Sequence, residues 1–196
     1  MDKLSREFYD RDTLEVAKDL LGCLLVREWD GERLVGRIIE TEAYIGRCDK
    51  ACHAYGYKRT PRTETLFAQP GTAYLYLIYG MYTCLNFVTE PVGEPAAVLI
   101  RGIEAVEGTD TIARLRFGKE FSALNAYQRK NFLNGPGKVC KGLNLDKSLD
   151  GHDLLQPPLY VLPCDREAPT IRCGTRIGID YAQEAKDFPW RFWVDV

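Results

Sequence analysis

The sequence IIETEAYIGRCDKACH, residues 38–53, is the most informative stretch for the architecture of this chain. Its first half is rich in β-branched residues and predicts a strand over residues 37–44. Because side chains alternate between the two faces of a strand, Glu40, Glu42 and Tyr44 are expected on one face. The opposite face then carries Ile39, Thr41 and Ala43. A carboxylate beside an aromatic ring at the end of a buried strand suits a general base in a ring-lined pocket, and an edge strand with a solvated polar face is the alternative.

The overall composition predicts one globular domain over residues 1–196. Of the residues, 45% are apolar and 28% are charged, as in soluble proteins. No apolar run is long enough to cross a membrane, and the sequence contains no internal repeat. The seven cysteines are scattered and odd in number, which favours free thiols in a reducing compartment.

The charge is unevenly distributed along the chain. The net charge is only −2, which argues weakly against a nucleic-acid-binding protein. Residues 114–141, however, hold seven basic residues and one acidic residue. An acidic protein can still present a positive face to phosphates, although a solvated helix face explains such a run equally well.

The stretch TAYLYLIYGMYTCLNFV, residues 72–88, predicts a hairpin of two aromatic-rich strands. Gly80 and Met81 are expected to form a two-residue type II′ turn. An apolar tip built of Tyr79, Met81 and Tyr82 would protrude, and such a tip can act as a wedge between base steps in the minor groove. Burial of these aromatic residues in the core is the alternative. Tyr76 lies on the opposite face from Tyr79 and is a candidate for lining a pocket.

Two further features point to charged partners. Arg101 lies among apolar residues of a predicted strand over 96–103, and a buried arginine needs an ion pair, such as Glu42, or a phosphate. Gly135, Pro136 and Gly137 precede a predicted helix over 138–143, with Lys138 at its start. Backbone N–H groups of Gly135 and Gly137 together with Lys138 form a candidate phosphate clamp, although such turns before helices are common.

A metal site is not predicted. Cys48, Cys52 and His53 lie close together, but a structural zinc site requires a second ligand pair. The only other histidine is His152, so we expect no metal and interpret His53 as part of a pocket wall.

The remaining pattern predicts an α+β fold, with a mostly antiparallel curved sheet, a protruding β-hairpin and surrounding helices. Asp30-Gly31 is a strong hairpin signal, and Asp12 or Asp10 is expected to cap a first helix. Helices opened by capping hydroxyls are predicted over residues 109–117 and 122–132.

In their order along the chain, these motifs resemble the alkyladenine (3-methyladenine) DNA glycosylase family, of the methylpurine-DNA glycosylase type. The resemblance extends from about Leu4 to the last residues. The motifs are Glu40-Thr41-Glu42-Ala43-Tyr44, His53, Thr60-Pro61-Arg62, Pro70-Gly71-Thr72, Tyr76-Leu77-Ile78-Tyr79-Gly80-Met81-Tyr82, Asn86, Leu99-Ile100-Arg101, Gly135-Pro136-Gly137-Lys138, Arg176-Ile177-Gly178-Ile179 and Pro189-Trp190-Arg191-Phe192.

The resemblance implies an enzyme that flips an alkylated or deaminated purine out of double-stranded DNA and hydrolyses its N-glycosidic bond, leaving an abasic site. Substrates of the 3-methyladenine, 7-methylguanine and hypoxanthine type are implied. We expect a monofunctional hydrolase without a lyase step, because no lysine lies in the motif strands. No cofactor and a monomeric state are expected, in the cytoplasm of a bacterium, associated with the nucleoid, or in the nucleus of a eukaryote.

The resemblance also implies roles for individual residues. Glu42 is the general base, with Glu40 as the alternative on the same face, and Arg101 and the His53 backbone carbonyl help to hold the water. The resemblance further implies that Tyr44, His53 and Tyr76 enclose the base, that Asn86 rejects a 2-amino group, and that Tyr79 fills the gap in the stack. A non-catalytic nucleic-acid-binding module and a hydrolase of free nucleosides are the rival hypotheses.

Overall fold

A computed structural model of the protein describes residues 2–78, 80–164 and 170–195. Over these residues the chain forms five α-helices and eight β-strands. The helices are α1 (Arg6–Tyr9), α2 (Thr13–Asp19), α3 (Thr109–Phe117), α4 (Ala126–Lys130) and α5 (Pro136–Gly142). The strands are β1 (Leu24–Trp29), β2 (Glu32–Ile45), β3 (Ala73–Ile78), β4 (Tyr82–Val88), β5 (Ala96–Glu107), β6 (Leu159–Leu162), β7 (Ile171–Gly174) and β8 (Arg191–Val194).

The strands form one antiparallel sheet in which β2 is the central element. The sheet runs in the order β3-β4-β5-β2-β1-β6. One edge of β2 pairs with β5, and the other edge pairs first with β1 and then with β8, which also pairs with β7. The predicted α+β class with a mostly antiparallel sheet is therefore confirmed.

One face of the sheet carries the main hydrophobic core. Helices α2, α3 and α5 pack there, because each turns a small apolar stripe inward. The stripes are Val16 and Ala17 in α2, Ile112 and Ala113 in α3, and Val139 and Cys140 in α5. They meet sheet residues that include Leu25, Ile38, Ala43, Leu75, Leu85, Phe87, Val98 and Ile100.

The opposite face carries a smaller cluster that is rich in aromatic residues. Its buried members are Cys52, Ala54, Leu66, Phe67, Tyr74, Val88 and Ala97. Tyr44 and Tyr76 pack against this cluster without being fully buried. Because Leu75 lies in the main core, strand alternation places Tyr74 and Tyr76 together on the other side of the sheet.

Several local signals were interpreted correctly. Asp30 and Gly31 both have positive φ, at 52° and 77°, which a type I′ turn requires between β1 and β2. The Asp12 side chain accepts hydrogen bonds from the backbone N–H groups of Leu14 and Glu15, so it caps α2.

The predicted alternation along β2 is wrong at its middle. The pairing with β5 shifts register around Glu40, which marks a β-bulge. An extra residue on one strand changes which side chains face inward on either side of the bulge. As a result Ile38, and not Ile39, joins Ala43 in the main core. Beyond the bulge, Thr41 is fully buried and donates a hydrogen bond to the Ala17 carbonyl.

Three other local predictions are also wrong. Ile78 pairs with Tyr82, so three residues connect β3 to β4 and the predicted two-residue turn does not form. The predicted helix over residues 122–132 is a 3₁₀ turn followed by the short helix α4, because Asn125 and Gln128 form a capping box that restarts the helix. The N-cap of α3 is Gly108 and not a hydroxyl residue.

In the part of the chain that the structure describes, no helix is long and apolar enough to cross a membrane.

Candidate active site

A cavity of about 300 Å³ opens on the aromatic face of the sheet. This volume lies at the lower end of the range for small-molecule sites. The end of β2 and the turn after it, the strands β3, β4 and β5, the start of α5 and the loop after β7 all contribute. The lining residues are Tyr44, Ala51, Cys52, His53, Leu66, Tyr74, Tyr76, Ile78, Cys84, Asn86, Ala97, Leu99, Arg101, Pro136, Ile177, Gly178, Ile179 and Tyr181.

Glu42 lies directly behind the wall of this cavity. Its side chain is fully buried, and one carboxylate oxygen, Oε2, accepts a hydrogen bond of 2.8 Å from the Tyr44 hydroxyl. The other oxygen, Oε1, accepts a 2.8 Å hydrogen bond from the backbone N–H of Ile177 and lies 3.5 Å from Arg101 Nε. Glu42 is not itself a lining residue, but Tyr44, Arg101 and Ile177 all are. The carboxylate therefore points toward polar partners at the cavity and not into the hydrophobic core.

Burial raises the pKa of Glu42, while the Arg101 charge and the hydrogen bonds from Ile177 and Tyr44 act in the opposite direction. A carboxylate with a raised pKa is a stronger base than an exposed one, and its donors keep the ionised form accessible. The site therefore suits proton abstraction from a water molecule.

Glu40 has a different environment from that of Glu42. Its Oε1 lies 3.2 Å from Arg101 Nε and accepts a 2.6 Å hydrogen bond from Arg191 Nε. Glu40 therefore serves as an anchor for two guanidinium groups, and it does not line the cavity. Arg101 contacts both carboxylates, so this arginine has two ion-pair partners, Glu40 and the predicted Glu42.

The aromatic wall is built around His53. Its Nδ1 lies 3.1 Å from the Tyr74 hydroxyl, and its ring stands nearly perpendicular to Tyr76 with centroids 4.6 Å apart. Burial, and after it the charge of Arg62, lowers the pKa of His53 to about 4. The imidazole is therefore neutral at neutral pH.

Asn86 lies on the floor of the cavity. It is nearly fully buried, and its Nδ2 donates a 3.1 Å hydrogen bond to the Tyr74 carbonyl across the β3–β4 hairpin. This bond fixes the orientation of the amide, which a group that discriminates between bases would need.

The hairpin tip lies beside the cavity. Met81 and Tyr82 are 72% and 51% exposed, so two neighbouring large side chains of the tip are open to solvent. Tyr79, the predicted intercalating residue, lies outside the described residues. A Cβ on Gly137 would come within 3.1 Å of Tyr82, so this glycine lets the start of α5 approach the tip.

The residues of the predicted phosphate clamp lie at the start of α5. Gly135 is the N-cap of α5, and Pro136 lines the cavity. The Lys138 ammonium donates to the side-chain oxygens of Asn131 and Asn134, at 3.0 and 2.8 Å. Phosphate contacts by Gly135, Gly137 and Lys138 stay a prediction.

Three features of the site were missed from the sequence. Tyr74 shares the face of Tyr76, so the alternation of β3 was a sufficient signal for it. The Ile177 backbone N–H and the Tyr181 ring come from the tail, which is distant in sequence, and no local pattern connects them to Glu42.

A buried carboxylate behind a cavity of aromatic rings, next to an exposed apolar hairpin tip, fits the class of DNA glycosylases. Comparison with known proteins gives the family. The profile described as Methylpurine-DNA glycosylase (MPG) matches residues 7–196, and the chain belongs to this family.

Individual relatives agree with this assignment. The chain is 50% identical over 195 residues to a protein of Desulfitobacterium hafniense, covering 100% of this chain and 96% of that protein. It is 52% identical to a protein of Clostridium perfringens over 98% of this chain and 95% of the relative, and 52% identical to one of Clostridium tetani over 98% and 96%. All three bear the name "Putative 3-methyladenine DNA glycosylase".

The resemblance inferred from the motifs is thus confirmed. The protein is a DNA glycosylase of the methylpurine type, a hydrolase of base excision repair whose substrate is DNA. The rival hypotheses of a non-catalytic binding module and of a free-nucleoside hydrolase do not agree with this family.

Proposed function

We propose that the enzyme extrudes a damaged purine from duplex DNA into the aromatic cavity and that Glu42 activates the water that hydrolyses its glycosidic bond. The proposed substrates are alkylated or deaminated purines of the 3-methyladenine, 7-methylguanine and hypoxanthine type. The observation that carries the proposal is the placement of Glu42, which is fully buried, has a raised pKa and is bound by three residues that line the cavity.

The chemistry follows from this placement. Glu42 accepts a proton from water, and the water oxygen bonds to the anomeric carbon while the bond to the base breaks. The sugar passes through oxocarbenium-like character, which a nearby carboxylate stabilises. Arg101, 3.5 Å from the Glu42 oxygen, would orient the carboxylate and the water together. A cationic alkylated purine leaves as a neutral base, whereas a neutral purine such as hypoxanthine leaves as an anion and takes up a proton from solvent. The products are the free base and an abasic site.

The cavity wall suits a cationic purine. Alkylation at N3 or N7 gives the ring a positive charge, and each aromatic face attracts a cation by about 0.5–2 kcal/mol. Tyr44 and Tyr76 provide such faces. Because the pKa of His53 is lowered to about 4, its ring does not repel the cation at neutral pH. Asn86, held on the cavity floor, is proposed to reject bases with a 2-amino group.

The extrusion step is assigned to the hairpin tip. Removing a base from the stack costs a few kcal/mol, and an inserted apolar side chain offsets part of that cost. The exposed Met81 and Tyr82 support an apolar wedge at this position. We assign filling of the gap to Tyr79, with phosphate contacts from Gly135, Gly137 and Lys138.

A lyase step is not part of the proposal. Such a step uses an amine that forms a Schiff base with the sugar. Among the described residues that line the cavity there is no lysine, which supports simple hydrolysis.

The test is base release under single-turnover conditions from a panel of duplexes, each with one lesion. Glu42→Gln keeps the shape of the side chain but removes the base, so we expect a rate loss of about 10²- to 10⁴-fold with lesion binding retained. Glu40→Gln is the matched control and should lose less, because Glu40 anchors arginines and does not line the cavity. Turnover retained by Glu42→Gln, or abolished only in Glu40→Gln, would reject Glu42 as the base.

A further inference from the structure

Arg176 is a fully buried arginine that does not line the cavity. Its guanidinium donates two hydrogen bonds to the Asp49 carboxylate, one of them 2.8 Å long. It also donates to the Ala43 carbonyl at 2.8 Å and to the Ala185 carbonyl at 3.0 Å. One side chain thus joins β2, the turn that follows β2, and the C-terminal tail.

The same guanidinium also supports the ring of Tyr44. Its central carbon lies 4.7 Å from the Tyr44 ring centroid and 5.2 Å from that of Trp190. Tyr44 donates its hydroxyl proton to Oε2 of Glu42. A charged planar group packed on the ring restricts where this hydroxyl points.

The next residue along the chain, Ile177, is the second uncharged donor to Glu42. Its side chain is 48% exposed, and its backbone N–H binds Oε1 of Glu42 at 2.8 Å. The Ile177 amide lies in the loop after β7, outside the ladder between β7 and β8. Its neighbour Arg176 makes four side-chain hydrogen bonds, which place an anchored residue directly before this amide.

We propose that Arg176, through its fork with Asp49, is the positioning residue for Glu42: it holds the Ile177 amide and the Tyr44 ring, and so orients both oxygens of the carboxylate. This inference rests on the proposed role of Glu42 as the base. Under this inference Arg176 and Asp49 orient the base, although neither residue lines the cavity.

The charged and titratable groups that face Glu42 come from several elements. They are Arg101 on β5, Tyr44 on β2, Tyr76 on β3, Cys84 on β4 and Arg176 in the tail loop. A pH–rate profile reports on this coupled set, and each group can be changed separately to isolate its contribution.

The first test removes one hydrogen bond of the network, the bond from the Ile177 N–H to Glu42. Ile177→Pro deletes the backbone hydrogen, whereas Ile177→Ala deletes the side chain and keeps the hydrogen bond. A hydrogen bond to a charged group favours the ionised form, so its loss should move the midpoint of the single-turnover pH profile up by roughly 1 to 2 pH units in Ile177→Pro. Ile177→Ala should keep the wild-type midpoint. Equal midpoints in the two variants would overturn the proposal.

The second test addresses the anchor itself. Removing Arg176 alone would leave the buried Asp49 carboxylate without its charged partner, so the double variant Asp49→Asn, Arg176→Met is used, with a melting curve and lesion-DNA binding as folding controls. We expect a folded, DNA-binding enzyme with the midpoint raised as in Ile177→Pro. An unchanged midpoint would refute the role of the pair.

Arg176→Lys separates charge from geometry, because lysine keeps the charge but lacks the planar fork. We expect the midpoint of Arg176→Lys to be raised, as in the double variant. A wild-type midpoint would mean that only the charge matters and would overturn the proposal. If Glu42→Gln retains turnover, the proposed function itself fails. If Glu42→Gln is inactive while every Arg176 and Ile177 variant keeps the wild-type profile, only the positioning role fails.

Discussion

Tyr44→Phe removes the hydroxyl group that donates a hydrogen bond to the buried carboxylate of Glu42. The Tyr44 hydroxyl donates to Glu42 Oε2 at 2.8 Å, and the ring packs on Arg176. Phenylalanine keeps the ring and its contact with the guanidinium, so the change is confined to one hydrogen bond. Because this bond favours the ionised form, its loss should raise the pKa of Glu42 beyond the rise that burial already causes.

The magnitude follows from the type of bond. A hydrogen bond to a charged group contributes about 1.5–3 kcal/mol, and one pH unit corresponds to about 1.4 kcal/mol. The pH profile should therefore move upward by roughly 1 to 2 units. A base works in its ionised form, so the rate should fall by about 10- to 100-fold below the midpoint and return toward the wild-type value at higher pH.

The assay is single-turnover release of the base from a duplex with one 3-methyladenine-type lesion, measured across the pH range. Tyr76→Phe is the matched control, because this hydroxyl belongs to another cavity tyrosine and interacts with Cys84. Its midpoint should stay where the wild-type midpoint is. A uniform loss of rate in Tyr44→Phe with no change of midpoint would refute the reasoning.

Glu42→Gln is expected to raise the free energy of unfolding at neutral pH. The raised pKa means that ionised Glu42 opposes folding, so the gain over wild type should shrink as the pH falls through that pKa in thermal melts; a constant difference would contradict this. Because burial lowers the pKa of His53 to about 4, its NMR signals should not titrate between about pH 5.5 and 8, and a midpoint near 6.5 would be evidence against burial. Gly36→Ala would place a Cβ 2.4 Å from the Ile103 side chain, so denaturant unfolding should show a loss of about 1–3 kcal/mol, and unchanged stability would disprove the close packing.

Local patterns predicted much of the fold and of the site. The Asp30-Gly31 turn, the Asp12 cap and the shared face of Glu40, Glu42 and Tyr44 depend on residues that are close in sequence. Their side-chain types and spacing therefore carry the information. The aromatic face of β3 also follows from residues that are close in sequence, because side chains alternate along a strand.

Long-range features were not predictable in this way. The bulge near Glu40 is set by the register that β5 adopts against β2, and the sequence of β2 alone does not contain that register. The Ile177 amide meets Glu42 across 135 positions of sequence. Only the tertiary fold brings the two residues together. The motif around Ile177 was therefore part of the resemblance, but no role could be predicted for it from the sequence.

The central position of β2 has a consequence for local opening. Glu42 pairs with Leu99 of β5 on one side and with Arg191 of β8 on the other, so its backbone is enclosed in ladders on both edges. Amides in such a position exchange with solvent only through large openings. The Ile177 amide lies outside the β7–β8 ladder, so its protection depends on its hydrogen bond to Glu42 and on the Arg176–Asp49 ion pair. Hydrogen exchange should therefore be slow along the wall formed by the sheet, and exchange at Ile177 should become faster when the Arg176–Asp49 pair is removed.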